Sequence, residues 1–525
     1  MKNICKITIL PLNKTFEAYE GDSLYTLLLV AGLIDDDKPG YDRLRLEKGS
    51  ISPAEHPEAE AAVFSRSELE EDWLLASERR ITGDAVLTLP AEEMIPGGHQ
   101  EPVADGWGLA VDMGTANICV GLIELDDLHI PLVTNVRNSQ SDLGKDVNER
   151  LAYCRQQEGN LREMSCLLKK DIDLATDKLC RKAGICGKNI KAVTVVGNYP
   201  LTAIFLEQLP PQGWPSLCQV LHSTAREVGL QELAGNVPIY LLPAASPNLG
   251  SDTIGAVLAA NMLSKKDEPG VTILIDLGMR GELIAAGHGR LLATSVPALP
   301  FEGAGLSCGM SARTGAITGV TLNDKVVLRT VRDARPQGIC GAGIISVVDQ
   351  LLRRGMLNGE GRLLQPEDLP EELASRFRAT MSGWEFILSY ADKNCPHDIC
   401  INQDDIHQVQ LAKGAIYAAC KAMLAALGAD EAELNEILLA EASTATIRPA
   451  EALSIGLLPE LEPEHVISIG NAAWQGAYIA LTNQSYLGAA ETLAKTLESL
   501  DLTSDRIYAE EFIKAMNFTV PADIF

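Results

Sequence analysis

A short pattern that occurs twice constrains the fold of this chain more than any other feature. In the first copy an apolar run ends at Asp112, a turn follows at Gly114 and Thr115, and a second apolar run continues. Two apolar runs around a tight turn predict an antiparallel pair of strands. A nearly equal pattern surrounds Asp276 and Gly278. Two copies about one domain length apart predict two similar lobes that face a cleft.

The turn in each copy is also a candidate binding site. Such a turn directs backbone N–H groups toward one point, and concave groups of N–H donors bind phosphate. A neighbouring carboxylate, such as that of Asp112, can hold Mg²⁺ or its water. An ordinary hairpin without a ligand is the alternative interpretation, and one Asp-x-Gly-Thr turn does not decide between the two.

Composition limits the class of protein. The 525 residues exceed the usual size of one domain, and 46% hydrophobic with 22% charged residues is typical of a globular chain. The net charge of −27 argues against a nucleic-acid or anionic-membrane binder, because phosphate contact needs clustered Lys and Arg. The first residues do not form a signal peptide, and the apolar run 24–34 is too short to span a bilayer. We therefore expect a cytoplasmic protein whose twelve cysteines are reduced.

Four segments follow from the order of the patterns. Residues 1–90 predict a β-grasp domain: a hairpin, a helix that begins at Asp22 or Ser23, loops over 35–72 and a closing strand over 81–90. The composition of residues 91–106 indicates a linker. We expect the first lobe at 107–265 and the second at 266–525. Within them we predict strands at 192–198, 238–243 and 437–440, helices at 141–184, 215–229 and 404–427, and a strand that leads into a helix at 467–477.

Two Gly-rich stretches in the second lobe are further candidates. One contains Glu302 and Gly303, and the other contains Gly341 directly before an apolar helix. A Gly cluster before a helix can place a phosphate or ribose at the helix N-terminus, and close packing is the equal alternative. Glu302 is interpreted either as a ribose or Mg²⁺ contact or as a structural carboxylate at a helix start.

These stretches together resemble a known family, the ATP-dependent reductive activators of corrinoid proteins. The match runs in family order over residues 107 to about 485. The residues that carry it are Val111–Thr115, Asn138–Gln140 with Gly144–Val147, Val196–Asn198, Ile275–Gly278, Gly281–Glu282, Pro300–Ala304, Gly338–Gly341, Gln403–Ile406 with Gln410–Ile416, Ile455–Pro459 and Gly470–Ala473.

The resemblance implies a fold and an activity. It implies a two-lobed, actin-like (ribonuclease H-like) α/β core of the sugar kinase/Hsp70/actin superfamily, preceded by a small ferredoxin-like domain. Such activators return Co(II) corrinoid to Co(I) with ATP, take the electron from a [2Fe-2S] cluster and dock a corrinoid protein on the core. Carried over to this chain, Asp112 or Asp276 orders the metal or the attacking water, and Asp112 is the Mg²⁺ ligand. The remaining expected nucleotide contacts are Gly114, Thr115, Gly278, Arg280, Gly281, Glu302, Gly303, Gly341, Gly470 and Asn471.

The chain departs from the family around the nucleotide. Met279 and Arg280 stand where the family has Thr-Asn, so that Arg280 either replaces a phosphate ligand or points outward. Residues 441–446 replace a Gly-rich turn near the adenosine. Two hypotheses follow: an activator that uses ATP-Mg²⁺ and an external electron donor, or a non-enzymatic paralogue that acts as scaffold, cofactor-loading chaperone or regulator of a corrinoid protein. The superfamily fold also permits a third hypothesis, a small-molecule kinase, but the sequence shows no binding site for a sugar or a small organic acid.

Two further stretches contain cysteines that are candidate metal ligands. Cys395, His397 and Cys400 have suitable side chains close together, but without Cys-x-x-Cys spacing an ordinary loop is the simpler reading. The same holds for Cys180 and Cys186. Cys340 is expected to pack against backbone.

The N-terminal domain is predicted to hold no iron. Four cysteines ligate a plant-type [2Fe-2S] cluster, whereas Cys5 is the single cysteine in the first 118 residues. We expect the visible spectrum of the purified protein to lack iron–sulfur bands. Bands of a [2Fe-2S] centre would contradict this prediction.

Overall fold

The computed structural model describes most of the chain. The described residues are 4–10, 14–24, 27–28, 43–52, 69, 72–88, 103–125, 131–209, 218–278, 280–365, 367, 369–381, 383–393, 395–440 and 447–519. Several predictions fall outside these ranges: most of the helix after Ser23, most of the linker, residue Met279 and the turn 441–446.

The N-terminal residues form a five-stranded sheet in the order β2-β1-β5-β3-β4. The predicted hairpin and the closing strand are confirmed, and β1 pairs parallel with β5. Ile7, Ile9, Leu44 and Leu87 are fully buried in its core. The strands are β1 (Ile4–Leu10), β2 (Lys14–Tyr19), β3 (Arg43–Ser52), β4 (Trp73–Leu75) and β5 (Arg80–Thr88).

The prediction of loops throughout 35–72 is wrong for β3. This ten-residue strand pairs antiparallel with β5, and its register shifts twice, between Leu46 and Lys48 and between Gly49 and Ile51. The first shift sets two residues of β3 against one of β5 and moves later side chains to the opposite face, so the two-residue alternation that begins at Leu44 is interrupted. The interruption hides the strand from a search for strict alternation.

The next part of the chain forms a six-stranded sheet in the order β10-β11-β9-β6-β7-β8. Strands β6 and β9 pair in parallel at its centre, and their side chains are almost all buried, which explains their continuous apolar sequences. The elements are β6 (Trp107–Met113), β7 (Asn117–Glu124), β8 (Leu132–Arg137), α1 (Val147–Gln156), α2 (Asn160–Ala183), β9 (Ile190–Gly197), α3 (Tyr199–Phe205), β10 (Leu221–Thr224), α4 (Ala225–Val228), β11 (Pro238–Leu241), α5 (Ser251–Ala259) and α6 (Met262–Lys265).

Most predicted elements of this region are confirmed, with one correction. The helix predicted over 215–229 is wrong at residues 221–224, which form β10 and pair antiparallel with β11. Among the described residues 218–229 the helical part is α4, which begins with a capping box between Thr224 and Glu227. A four-residue strand before a one-turn helix is too short to show the two-residue period of a strand or the 3.6-residue period of a helix.

The remaining chain forms a second six-stranded sheet in the order β22-β21-β12-β13-β14-β23, and two three-stranded sheets. The predicted second hairpin, the helix after the Gly cluster and the long helix are confirmed. The elements are β12 (Val271–Leu277), β13 (Arg280–Gly287), β14 (Arg290–Pro297), β15 (Ala316–Leu322), β16 (Val326–Thr330), β17 (Gly338–Ile339), α7 (Gly341–Arg353), α8 (Glu371–Ala374), β18 (Phe377–Thr380), β19 (Gly383–Ser389), β20 (Ile399–Asn402), α9 (Gln403–Leu427), β21 (Leu434–Ala440), α10 (Pro449–Ser454), β22 (Val466–Gly470), α11 (Ala472–Thr482), α12 (Ser485–Thr496), β23 (Glu498–Ser499) and α13 (Arg506–Ala515).

Two compact units divide the chain, and the first is discontinuous. Residues 71–263 and 471–498 belong to the first unit together with the N-terminal residues, whereas 264–470 and 499–525 belong to the second. Helix α11 packs on α5, β6 and β9, and fully buried Trp474 donates its indole N–H to the Ala110 carbonyl at 3.0 Å. The segment 471–498 therefore packs against the sheet that contains β6 and β9, whereas we predicted it as part of the second lobe.

Each unit contains a mixed six-stranded sheet that includes one of the two Asp-x-Gly hairpins. This arrangement confirms the predicted α/β class with a repeated unit. Among the described helices, none is both long and apolar enough to cross a membrane.

Helices α5 and α11 touch through glycines, which gives a stability prediction. A Cβ at Gly476 would lie 2.2 Å from both Cα and O of Gly255. We expect Gly476→Ala to force the helices apart and to cost about 1–3 kcal/mol of unfolding free energy. The matched control is Gly488→Ala in α12, where an added Cβ meets nothing within 4 Å.

The control should be neutral or stabilising by about 0.5–1 kcal/mol, because alanine is the better helix former. Thermal unfolding followed by circular dichroism compares the two variants. Equal effects of both substitutions on Tm would contradict the close packing of α5 on α11.

Candidate functional site

The first candidate site is built on Asp112 at the carboxyl end of strand β6. Its carboxylate is 5% exposed, and Asn471 donates its side-chain N–H to Asp112 Oδ2 at 2.9 Å. Asn471 also caps α11, because its Oδ1 accepts from the Trp474 backbone N–H at 2.9 Å. The cap fixes the Asn471 amide, and the amide in turn orients the carboxylate.

Burial raises the pKa of Asp112 to about 7. The hydrogen bond from Asn471 acts against this rise, and the negative charge of nearby Asp252 adds to it. The group thus titrates near neutral pH. Two carboxylates that disfavour each other's charge form a place where a divalent cation is favourable, because the cation reverses that repulsion.

Three side chains from other elements hold the turn that follows β6. The Asn138 amide donates to the Gly114 carbonyl at 3.0 Å, and the Arg150 guanidinium donates to the Thr115 carbonyl at 2.7 Å. The Asn198 amide donates to Thr115 Oγ1 at 3.1 Å. These bonds give the turn one conformation, as a preorganised phosphate-binding turn requires.

Arg150 is a fully buried cation behind this turn. Its other N–H groups donate to the Gly144 carbonyl at 2.9 Å and to Gln140 Oε1 at 3.1 Å. Burial lowers the pKa of Arg150 to about 10, so the side chain stays charged at neutral pH. A fixed positive charge near the Gly114–Thr115 turn favours an anionic ligand there.

The carboxyl end of β9 and the first turn of α5 contribute to the same region. Ser251, the first residue of α5, accepts from the Gly197 N–H and donates to the Gly197 carbonyl, both at 3.0 Å. Asp252 follows in the first turn of α5. Three further candidates for the site around Asp112 were not predicted from the sequence: Arg150, Ser251 and Asp252. The start of the apolar helix after Gly250 was the available signal for the last two.

The second hairpin arranges polar side chains on one face of its sheet. Asp276 lies opposite Glu282, and Glu282 lies opposite Ser295, so these three share a face. Arg280 lies on the same face, is exposed, and donates from Nε to Ser295 Oγ at 2.8 Å. The Gly278 N–H donates to the Arg280 carbonyl at 3.1 Å.

Gly281 lies on the opposite face of β13. An added Cβ there would come within 3.4–3.5 Å of Val296 and Ala298, in the buried core. The structure therefore places Gly281 away from the polar face that carries Asp276 and Arg280. Gly470 ends β22 with φ +63°, immediately before Asn471, and belongs to the second unit.

The Gly-rich stretches of the second unit pack closely on each other. A Cβ at Gly341 would lie 1.7 Å from the Phe301 carbonyl, and one at Gly303 would lie 2.0 Å from the Met310 carbonyl. Close packing is thus a sufficient reason for both glycines, while Glu302 beside them is partly exposed. The Cys340 thiol donates to the Ile317 carbonyl at 3.1 Å, which confirms that it packs against backbone.

The structure brings Asp112, Gly114, Thr115 and Asn471 together in the first unit. Asp276, Gly278 and Arg280 form a separate group in the second. Within the described ranges there is no group of three or more His, Cys, Asp or Glu side chains that could hold a metal. Mg²⁺ needs no such group, since it commonly binds through one or two carboxylates, phosphates and water. The Asp112 and Asp252 carboxylates fit that pattern.

Family models, a characterised relative and a solved structure all relate this chain to reductive activators of corrinoid proteins. Two family models match the chain: the RACo middle region over residues 107–265, and the C-terminal ASKHA domain of RACo over residues 270–523. The corrinoid activation enzyme RamQ of Eubacterium limosum is 28% identical over 433 residues, which cover 80% of this chain and 71% of RamQ. A solved reductive activator for a corrinoid, iron-sulfur protein is 20% identical, with a TM-score of 0.69 and 98% of both chains covered. The predicted actin-like fold is confirmed.

The raised pKa of Asp112 predicts a pH-dependent stability. Between about pH 4 and pH 7 the unfolded state has lost this proton while the folded state keeps it, so stability falls as pH rises through that window. We expect Asp112→Asn, which keeps an acceptor for Asn471, to raise Tm by several degrees at pH 8 without Mg²⁺ or nucleotide. The gain should shrink toward pH 4–5.

A control for loss of one negative charge is Asp142→Asn, at an exposed aspartate paired with Arg137. It should not reproduce the pH-dependent gain. Thermal unfolding across pH 4.5–8.5 measures both variants. A Tm difference for Asp112→Asn that stays constant across this range would contradict the raised pKa.

Proposed function

Because this chain belongs to the RACo family of reductive activators of corrinoid proteins, we propose that it assists the reduction of a Co(II) corrinoid to Co(I) with ATP-Mg²⁺. The corrinoid is carried by a protein component of a methyltransferase system, and the electron comes from an external donor. The observation that carries the proposal is the buried Asp112 carboxylate beside a rigid Gly114–Thr115 turn.

The first unit offers groups for the phosphate end of the nucleotide. Asp112, assisted by Asp252, orders the magnesium ion or its water, and Asn471 keeps the Asp112 carboxylate oriented. Thr115 and the turn N–H groups contact phosphate, and buried Arg150 supplies a positive charge behind them. Binding and hydrolysis of ATP supply the free energy that makes the transfer of an electron to Co(II) favourable.

The second unit offers the second set of contacts. Asp276, Gly278 and Arg280 lie at one hairpin end, where the guanidinium is accessible to a phosphate at the cost of its bond to Ser295. Glu302, Gly303 and Gly341 are proposed contacts to the ribose side, and Gly470 precedes Asn471 at the same part of the chain. These assignments rest on the family motifs and on the polar face of β13.

The electron is proposed to come from a separate protein. Cys5 is buried in β1, and one thiol cannot hold a [2Fe-2S] cluster. The N-terminal sheet keeps its own apolar core. In this proposal it serves as a docking domain for the donor or the corrinoid protein, and no nucleic acid or membrane takes part.

The second candidate function is a non-enzymatic paralogue. Met279 removes a hydroxyl from the second turn, and Glu441–Thr446 replace a Gly-rich turn, two sequence changes that disfavour nucleotide binding. Such a protein would hold the corrinoid protein as a scaffold, a cofactor-loading chaperone or a regulator.

Nucleotide binding separates the two candidates. We expect ATP-Mg²⁺ to bind in the micromolar range by calorimetry, and Asp112→Ala to abolish the heat because it removes the proposed metal ligand. The matched control, Asp142→Ala, removes an exposed aspartate of the same unit and should bind normally.

A measurement of ATP hydrolysis completes the comparison of the two candidate functions. ATP hydrolysis should increase when a Co(II)-loaded corrinoid protein and a low-potential reductant are added, with loss of Co(II) absorption in parallel. No heat at millimolar ATP, together with retained binding of the corrinoid protein, would reject the activator and support the paralogue.

A further inference from the structure

Two cysteines of the second unit meet outside the proposed nucleotide site. Cys308 follows the Gly-rich stretch of Gly303, and Cys400 is the second residue of strand β20. The Cys400 backbone N–H donates to Cys308 Sγ at 3.5 Å, and each thiol shifts the pKa of the other. The fold therefore joins two thiols that are 92 residues apart in the chain.

We propose that Cys308 and Cys400 form a reversible dithiol–disulfide pair, a thiol modification site that ties the Gly-rich stretch to strand β20 when the protein meets an oxidant. The proposal is independent of whether the protein binds ATP. It needs only the contact between the thiols and a difference in their reactivity.

The surroundings make the two thiols unequal. Cys308 is half-buried, whereas Cys400 is buried. Hydrogen bonds from the Cys400 thiol, then from its backbone N–H and from Ser307, lower the pKa of Cys308 to about 6, although burial and the charge of Asp405 act against them. The same contact with Cys308 raises the pKa of Cys400, and burial and Glu385 raise it further. Cys308 is thus the nucleophile and Cys400 the resolving thiol.

The backbone around Cys308 is held on two sides. The Ile339 N–H donates to the Cys308 carbonyl at 2.8 Å, and the Ser307 N–H and hydroxyl donate to the Asp405 carboxylate at 2.7 and 2.6 Å. In its neutral form the Cys308 thiol donates to the Asp398 carbonyl at 3.6 Å. These bonds keep Cys308 next to Cys400, which raises the effective concentration of one thiol at the other.

Oxidation by a low-molecular-weight disulfide proceeds in two balanced exchange steps. The Cys308 thiolate attacks one sulfur of the small disulfide, forms a mixed disulfide and releases one small thiolate. Cys400, whose thiol donates to Glu385 Oε2 at 3.7 Å, then loses its proton and attacks Cys308 Sγ. This second step releases the other small thiol. Two protein thiols are oxidised and one small disulfide is reduced to two thiols.

The consequence concerns the stretch that contains Glu302 and Gly303. A covalent bond from Cys308 to β20 restricts this stretch, because β20 leads directly into the long helix α9. Oxidation thus adds a covalent link to a segment that carries proposed nucleotide contacts and that only non-covalent contacts hold in the reduced protein.

Peptide mapping under non-reducing conditions tests the pair. The protein is treated with oxidised glutathione at pH 7, and excess thiol is then blocked by alkylation. Tryptic cleavage gives one peptide that contains Cys308 alone and another that contains both Cys395 and Cys400. We expect these two peptides to be cross-linked, with the loss of two hydrogens.

Variants identify the partners. Cys395→Ser should retain the cross-link, which assigns it to Cys400. Cys400→Ser, or Cys400→Ala if the first does not fold, should leave a stable glutathione adduct on Cys308, and Cys308→Ser should give neither product. Modification confined to exposed Cys166 and Cys186, or a cross-link lost in Cys395→Ser, would overturn the proposal.

The pH dependence of alkylation gives a second readout. The rate at Cys308 in the reduced protein should rise around pH 6, whereas exposed Cys166 provides the reference for an accessible thiol. A Cys308 rate that rises only at the pH where Cys166 reacts would contradict the assignment of Cys308 as the nucleophile.

Discussion

A buried carboxylate at the end of a central strand is the constraint on which the first unit depends. An ionised carboxylate removed from water is costly unless hydrogen bonds or an opposite charge compensate for it. Asp112 receives one hydrogen bond, from a residue 359 positions later in the chain, and it senses the charge of Asp252. The surrounding bonds from Asn138, Arg150 and Asn198 go to the turn and do not compensate the charge of this carboxylate. A bound cation would supply the missing compensation, so ligand binding and the stability of this unit are linked.

Local patterns in the sequence predicted the parts of the fold that are local in space. Both Asp-x-Gly hairpins and the helix after Gly341 were visible because apolar runs and tight turns act within a few residues. Strand β3 was missed because a register shift between Leu46 and Lys48 breaks its alternation. Arg150 was missed because an arginine in a mixed helix looks solvent-exposed, and only tertiary packing shows that it is buried under the Thr115 carbonyl. Asn471, the hydrogen-bond partner of Asp112, was predicted as a site residue from a family motif and not from this contact.

The N-terminal sheet has an apolar core of its own. Its described core consists of apolar side chains from all five strands and includes Cys5 among them. Domains whose folding depends on a bound metal have no comparable core, since metal binding itself supplies their folding free energy. Here the apolar cluster supplies it. The fold of this sheet is therefore explained by apolar packing, without a contribution from a metal.

The contact between Gly255 and Gly476 has a consequence for the order in which the protein is made. Residues 264–470 are synthesised between the two halves of the first unit, so that this unit lacks helices α11 and α12 until the ribosome has nearly finished. Until then the faces of α5, β6 and β9 that α11 covers are exposed to water. The gap between the two family models, at residues 266–269, lies next to the boundary between the units at 263–264, but the first unit is complete only when residues 471–498 have been added. A nascent chain that has reached residue 269 exposes the apolar surface of α5, β6 and β9, because helix α11 has not yet been translated. Chaperone binding and aggregation compete for such a surface.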